Sequence, residues 1–92
     1  MEVVLYVQRG CGPCHEARAW LRARGVAFEE RDVARHRAWL EELKAVGSRV
    51  TPTVVVRGRG RQAVVTGFHP GELAAALSDC ADRPAAGARG PA

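Results

Sequence analysis

Apolar and polar positions change period along this chain, and each change marks an element. Residues 2–7, EVVLYV, form a short apolar run rich in β-branched side chains, the composition of a buried strand. The turn QRGCG follows. Residues 13–24, PCHEARAWLRAR, then take a helical period that sets Cys14, Ala17 and Leu21 on one face with Trp20 beside them. Pro13 suits the first helical turn, where its missing N–H is not needed. Gly25 stands where a helix stop belongs. Residues 26–33, VAFEERDV, alternate Val26, Phe28 and Glu30 against Ala27 and Glu29, which predicts a second strand. Asp32 is expected to cap a second helix over 34–46, whose Trp39, Leu43 and Val46 share a face flanked by Leu40. Gly47 stops it. Residues 51–56, TPTVVV, predict a third strand and 62–66, QAVVT, a fourth, so that 53–66 reads as a hairpin turning at RGRGR. Residues 67–79, GFHPGELAAALSD, predict a turn and a last helix, with Pro70 in its first turn and Leu73 and Leu77 inward. From Asp82 the apolar period ends, and a disordered tail over 82–92 is expected.

The predicted order is β-α-β-α-β-β-α, an α/β chain. A helix between the first two strands implies a right-handed parallel crossover. The hairpin makes the last two strands antiparallel. A four-stranded mixed sheet flanked by three helices is therefore expected over residues 1–81, as one small domain. There are no internal repeats and no linker. At 92 residues the chain folds without needing staples, with modest margin. The composition, 47% hydrophobic and 26% charged, is that of an ordinary globular domain rather than a disordered one.

Net charge is +4, which raises the question of an acidic or nucleic-acid partner. The arginines are scattered. The tightest cluster, Arg57, Arg59 and Arg61, alternates with Gly58 and Gly60 and contains no aromatic for base stacking. A solvated hairpin turn is the expected reading, and nucleic acid is not an expected partner. The start MEVVLYV has neither a basic leader nor an apolar run ending in small residues, so no targeting segment is read there. No stretch approaches the roughly 18 apolar residues of a membrane span. A cytoplasmic location is the expectation, and in that compartment a close cysteine pair is more often catalytic or metal-binding than structural.

The pair is Cys11 and Cys14, in VQRGCGPCHEAR. Three chemistries share this spacing. With His15 the motif matches a covalent haem attachment, but the only methionine is Met1, and four strands leave little room for a haem pocket. A closed zinc site needs two pairs of ligands, and His15, His36, His69 and Cys80 make no second close pair. A cluster shared between two chains is a related alternative. The third chemistry is dithiol exchange. Cys11 sits on the turn before a helix, where unpaired N–H groups and the helix dipole stabilise a thiolate. Cys14 lies one turn in, on the inward face. Cys11 is thus the expected nucleophile and Cys14 the resolving thiol, with Gly12 and Pro13 fixing the loop between them.

At this point the chain resembles the thioredoxin superfamily, and within it the glutaredoxin-like redoxins. Three anchors over about residues 2–79 carry the resemblance: Cys11-Gly12-Pro13-Cys14 after the first strand, Thr51-Pro52 before the third, and Gly67-Phe68 after the fourth. It implies a thioredoxin fold and a cis peptide before Pro52. It also implies a substrate groove shaped by Val50, Thr51 and Pro52, with Gly67 and Phe68 along its far side. The Thr51 backbone would pair with a substrate chain as a short added strand. The chain departs from thioredoxin in having Gly10 where Trp precedes the motif, and Leu5 where that family carries a buried Asp.

The resemblance leaves two electron sources open. Glutaredoxins tend to place a Lys three residues before the first Cys to hold a glutathione carboxylate; here that position is Gln8, followed by Arg9. Gly67-Phe68-His69-Pro70 is more similar to redoxins that feed ribonucleotide reductase and take electrons from thioredoxin reductase. Arg9, Arg49 and the start of the last helix remain places for the carboxylates of glutathione as co-substrate. The expectation is a dithiol–disulfide oxidoreductase acting as a monomer on disulfide-containing protein substrates. No cofactor is expected to be permanently bound and no metal is expected. The alternatives are a metal or iron–sulfur module on Cys11 and Cys14, or an adaptor that binds proteins through the Thr51 edge. Tyr6 and Trp20 read as packing residues. His15 reads either as a charge that tunes Cys11 or as a solvated surface residue, and His36 and His69 as surface residues. Cys80 reads as a bystander, or as an exposed thiol open to modification or dimerisation.

Overall fold

The run of β-branched and apolar residues from Val3 to Val7 becomes the centre of the molecule. In the computed structural model, which describes residues 1–81, β1 (Glu2–Val7) is flanked by parallel β2 (Glu29–Asp32) and antiparallel β3 (Thr53–Gly58), and β3 by antiparallel β4 (Arg61–Thr66). The strand order is β2-β1-β3-β4. Val4 pairs with Glu29 on one side and Val55 on the other. Both inner strands have apolar residues on both faces, as strands covered on two sides require.

Helix α1 (Gly12–Ala23) and helix α3 (Pro70–Cys80) cover one face and helix α2 (Arg37–Ala45) the other. The first core joins Val3, Leu5 and Val7 to Cys14, Ala17 and Leu21 of α1 and to Leu73, Ala76 and Cys80 of α3. The second joins Val4, Tyr6 and Val55 to Leu43, with Trp39, Leu40 and Val46 packed around it. The alternation along β1 thus assigns its side chains to two separate cores. The hairpin turns at Arg59 and Gly60, both with φ in the left-handed region (56° and 71°), the conformation a two-residue hairpin loop demands. Within the described residues no helix is long and apolar enough to cross a membrane.

The sheet and helix order are as expected; three elements differ in extent. Strand β3 runs over Thr53–Gly58 rather than 51–56: Arg57 pairs with Glu2 and with Gln62, and Gly58 with Arg61, so ladder pairing narrows the expected RGRGR turn to two residues. Strand β2 begins at Glu29 rather than at residue 26. The Val26 N–H instead bonds the Leu21 carbonyl at 3.0 Å, and Val26 and Phe28 pack on the first core before the chain meets Val4. Helix α2 begins at Arg37 rather than at residue 34. Asp32 does not cap it. Its carboxylate accepts the Ala34 N–H at 2.9 Å and its carbonyl accepts the Arg35 N–H at 3.0 Å, closing a separate turn. His36 takes the cap position without a side-chain bond. The tail expected over 82–92 lies outside the described residues.

Candidate functional site

Cys11 and Cys14 meet where β1 ends and α1 begins. The extended backbone of Cys11 (φ −93°, ψ 104°) makes it the cap of α1, with Pro13 in the first turn. Its Sγ accepts the Cys14 N–H at 3.1 Å, one of the four N–H groups a helix start leaves unpaired. The two sulfurs are bonded to each other, so the structure is of the oxidised state. Cys14 is 2% exposed and packs within the first core, whereas Cys11 is half-buried. An N–H in this position is a ready donor to a thiolate, and a charge-assisted bond of that kind is stronger than one to a neutral thiol. The accessible sulfur and the helix start therefore coincide on Cys11.

The start of β3 and the end of β4 lie at the same end of the sheet as the end of β1, from which the chain runs on to the dithiol: Thr53 pairs with Tyr6 on one side and Thr66 on the other. The Thr51–Pro52 peptide is cis. The Pro52 carbonyl accepts the Gly67 N–H at 2.7 Å, which joins the two segments. Gly67 has φ 79°, a conformation that disfavours any side chain. Thr53, fully buried, donates its hydroxyl to the Val50 carbonyl at 2.7 Å, and the Ser48 hydroxyl bonds Thr53 Oγ1 at 2.8 Å. These bonds fix residues 48–53, and Val50 is left 52% exposed beside Thr51. Phe68 is half-buried and, like Cys11, packs on the first core.

On the other side of β1 is a cavity of about 550 Å³ at the ends of β1 and β2. Gln8, Arg9, Cys11 and Cys14 form its inner side, and Arg35, His36 and Trp39 close it from the β2–α2 turn and the first turns of α2. Arg18 crosses its wall to hold Glu30 through two bonds, 2.8 Å from Nε and 2.5 Å from Nη2. That hydrogen-bonded guanidinium keeps the Glu30 carboxyl below the usual carboxylate range. Arg18 Nη1 also lies 2.8 Å from His15 Nδ1. A guanidinium only donates, so His15 Nδ1 is the acceptor of that contact.

The expected site residues thus divide. Cys11, Gly12, Pro13 and Cys14 are together. Gln8 and Arg9 line the cavity with Cys11, whereas Val50, Thr51, Pro52, Gly67 and Phe68 lie at the start of β3 and the end of β4, on the other side of β1 from that cavity. Sequence reasoning did not place Arg35 or Trp39 near the dithiol; His36, read as a surface residue, is exposed and also lines the cavity. All three come from one stretch, residues 35–39, which only the fold brings to the end of β1. Cys80 is not an exposed thiol. It is 1% exposed, inside the first core, with its S–H directed at the Val56 carbonyl 3.6 Å away. Tyr6 is more than packing. Its hydroxyl donates to Glu42 Oε1 at 3.0 Å, and Glu42 also holds Arg31, which holds Glu29. Burial first, and then the Glu42 carboxylate, push the Tyr6 phenol above its ordinary value. Among the described residues no three His, Cys, Asp or Glu side chains gather into a group able to hold a metal ion.

A dithiol on a helix start, beside a cis-proline loop and a positive-φ turn, invites comparison with known families. The family model described as Glutaredoxin matches residues 3–60, more than half of the chain. The chain belongs to the glutaredoxin family. Among solved structures, this glutaredoxin-family chain is similar to the thioredoxin-like protein BC3987, at 35% identity and a TM-score of 0.72 over 83% of this chain and 100% of that one. It is also similar to the glutaredoxin-like NrdH-redoxin of Escherichia coli, at 31% identity and a TM-score of 0.65 over 76% of this chain and 87% of that one. A shorter similarity, 39% identity over 44 residues, reaches the global transcriptional regulator Spx of Enterococcus faecalis, of which this chain spans only 33%. The match to the glutaredoxin family and the Cys11–Cys14 pair make this a redoxin of the thiol–disulfide oxidoreductase kind, whose family implies disulfide substrates and a reductant.

Proposed function

We propose that the protein reduces disulfides in protein substrates, with electrons from thioredoxin reductase, as a cytoplasmic monomer that binds no permanent cofactor. The observation that carries this reading is the Cys14 N–H on Cys11 Sγ, with Cys14 itself sealed in the core. The Cys11 thiolate attacks one sulfur of the substrate disulfide. A mixed disulfide forms, the substrate S–S bond breaks, and the departing thiolate takes a proton from water. Cys14 then loses its proton and attacks Cys11 Sγ, and the second substrate thiolate leaves. The substrate gains two electrons and two protons, and the protein becomes the disulfide present in the structure. In this reading Val50, Thr51 and Pro52 receive the substrate backbone, with Gly67 and Phe68 at the groove's far side.

Two features favour thioredoxin reductase over glutathione. Gln8 replaces the cationic side chain expected to hold a glutathione carboxylate, and Phe68 occupies the turn after β4. The similar NrdH-redoxin is described as having a thioredoxin-like activity profile, which supports the same assignment here. The test is NADPH consumption with a disulfide substrate, run once with thioredoxin reductase and once with glutathione plus glutathione reductase. Turnover with the first system alone is the expected result. Turnover with glutathione alone overturns the electron source, and silence in both, with intact thiols, overturns the activity.

A further inference from the structure

The cavity between α1 and the β2–α2 turn carries charge that the exchange reaction does not use. Arg9 and Arg35 line it, both are exposed, and neither makes an ion pair or side-chain hydrogen bond among the described residues. The two carboxylates of the same wall are already engaged. Glu30 is held by Arg18, and Asp32 accepts the Ala34 N–H. Asp32 keeps its charge, but the three guanidiniums of the lining, Arg9, Arg18 and Arg35, outnumber the carboxylates of Glu30 and Asp32, so the cavity is net positive, with the exposed His36 ring beside Trp39 on its lining. Cys11 lines the same cavity, so a chain joined to Cys11 by a disulfide has its neighbouring residues within reach.

We infer that this cavity is a specificity site for an acidic segment of the protein substrate, one that flanks the substrate's cysteine. The inference rests on the thiol–disulfide reading above and adds the chemistry of the partner. A substrate strand paired at Thr51 lies on one side of β1, while the cavity that Cys11 lines lies on the other. An extended chain advances about 3.3 Å per residue, so residues within two or three places of the substrate cysteine come over it. A Glu or Asp there meets Arg9 and Arg35 without first having to displace an internal carboxylate. Such contacts act mainly on partner choice and association rate and weaken with salt.

The test uses single-turnover reduction of peptide disulfides by the pre-reduced protein, so that no reductase enters the reading. Three peptides are identical except that the residues flanking the cysteines are Glu, Gln or Lys. Each rate is divided by that peptide's rate with dithiothreitol, which removes the effect of the flanking charge on the disulfide itself. The Glu peptide is expected to exceed the Lys peptide by roughly tenfold at low salt, and Arg35→Glu should cut that ratio by roughly fivefold. The ratio comes from one sample, so a partly unfolded variant does not alter it. Arg61→Glu, the same charge change on the distant hairpin, should leave the ratio in place.

A ratio unmoved by Arg35→Glu, or moved as much by Arg61→Glu, overturns the cavity as its origin. Glutathione disulfide is the fourth substrate. If Arg35→Glu slows it alone, the carboxylate held there is that of glutathione, and the protein segment is the wrong occupant. Reduction of all peptides at equal rates removes the inference and keeps the oxidoreductase. Reduction of none removes both.

Discussion

The two flanks of β1, at the end where the chain runs on to the dithiol, are built from different materials. On the side of Pro52 the surface is set by main chain: a cis peptide, a 2.7 Å bond from Gly67 to the Pro52 carbonyl, and a buried Ser48–Thr53 pair beneath Val50. On the side of Arg35 it is set by long charged side chains whose positions depend on one another, as Arg18, Glu30 and His15 do. Backbone bonds shielded from water are indifferent to salt, while exposed charges are screened by it. One flank is thus suited to hold any extended chain in register, and the other to distinguish between chains.

The largest expected effect removes what both flanks serve. Cys11→Ser should lower turnover by roughly three orders of magnitude or more, as loss of a nucleophile does. Cys14→Ser should instead accumulate a mixed disulfide with substrate, seen by mass spectrometry. A Cys11→Ser protein that still turns over would detach the activity from this site altogether.

The next effect breaks the main-chain flank. Thr53→Val keeps the shape but leaves the Val50 carbonyl and the Ser48 hydroxyl without their best partner, at a cost of about 1–3 kcal/mol. Urea unfolding measures it, and activity on uncharged and acidic peptides should fall together. Gly67→Ala should follow at about 1–2 kcal/mol, because φ 79° strains any residue with a Cβ. A Gly67→Ala protein as stable as the parent would mean that the turn relaxes freely.

The smallest effect touches the charged flank. The Arg18–Glu30 pair is partly exposed, with side chains 20% and 33% accessible, so Glu30→Gln should cost under about 1 kcal/mol. Its sign with pH is fixed. The Glu30 carboxyl is lowered in the folded protein, first by the Arg18 hydrogen bond. Its stabilisation is present above the unfolded carboxylate range and is lost as pH falls through the folded value. Parent and Glu30→Gln should differ in urea midpoint at neutral pH and converge in acid. A difference that persists at low pH would assign Glu30 a packing role instead.

Local signals made most of the fold legible. The apolar run of β1, the Cys14–Ala17–Leu21 face of α1 and the glycines after the first two helices are short-range patterns, and the structure follows them. The start of β2 was not legible, because Val26 and Phe28 look like strand residues but meet the core before they meet a strand. Nor was the start of α2, where Asp32 serves a nearer turn. The dithiol could be read directly, since its chemistry is contained in four adjacent residues. The cavity could not. Its members come from the end of β1, from α1, and from the segment between β2 and α2, and only the parallel crossover brings them together.

The third cysteine has a use that follows from where it sits. Its S–H points at the Val56 carbonyl, and a Cβ on Gly58 would collide with the Cys80 carbonyl itself, so strand β3 and the end of α3 close on each other without a gap. A reagent reaches that sulfur only when the two part. With Cys11 and Cys14 oxidised to each other, alkylation of Cys80 becomes a clock for the opening of the last helix, ticking at a rate set by motion rather than by redox chemistry.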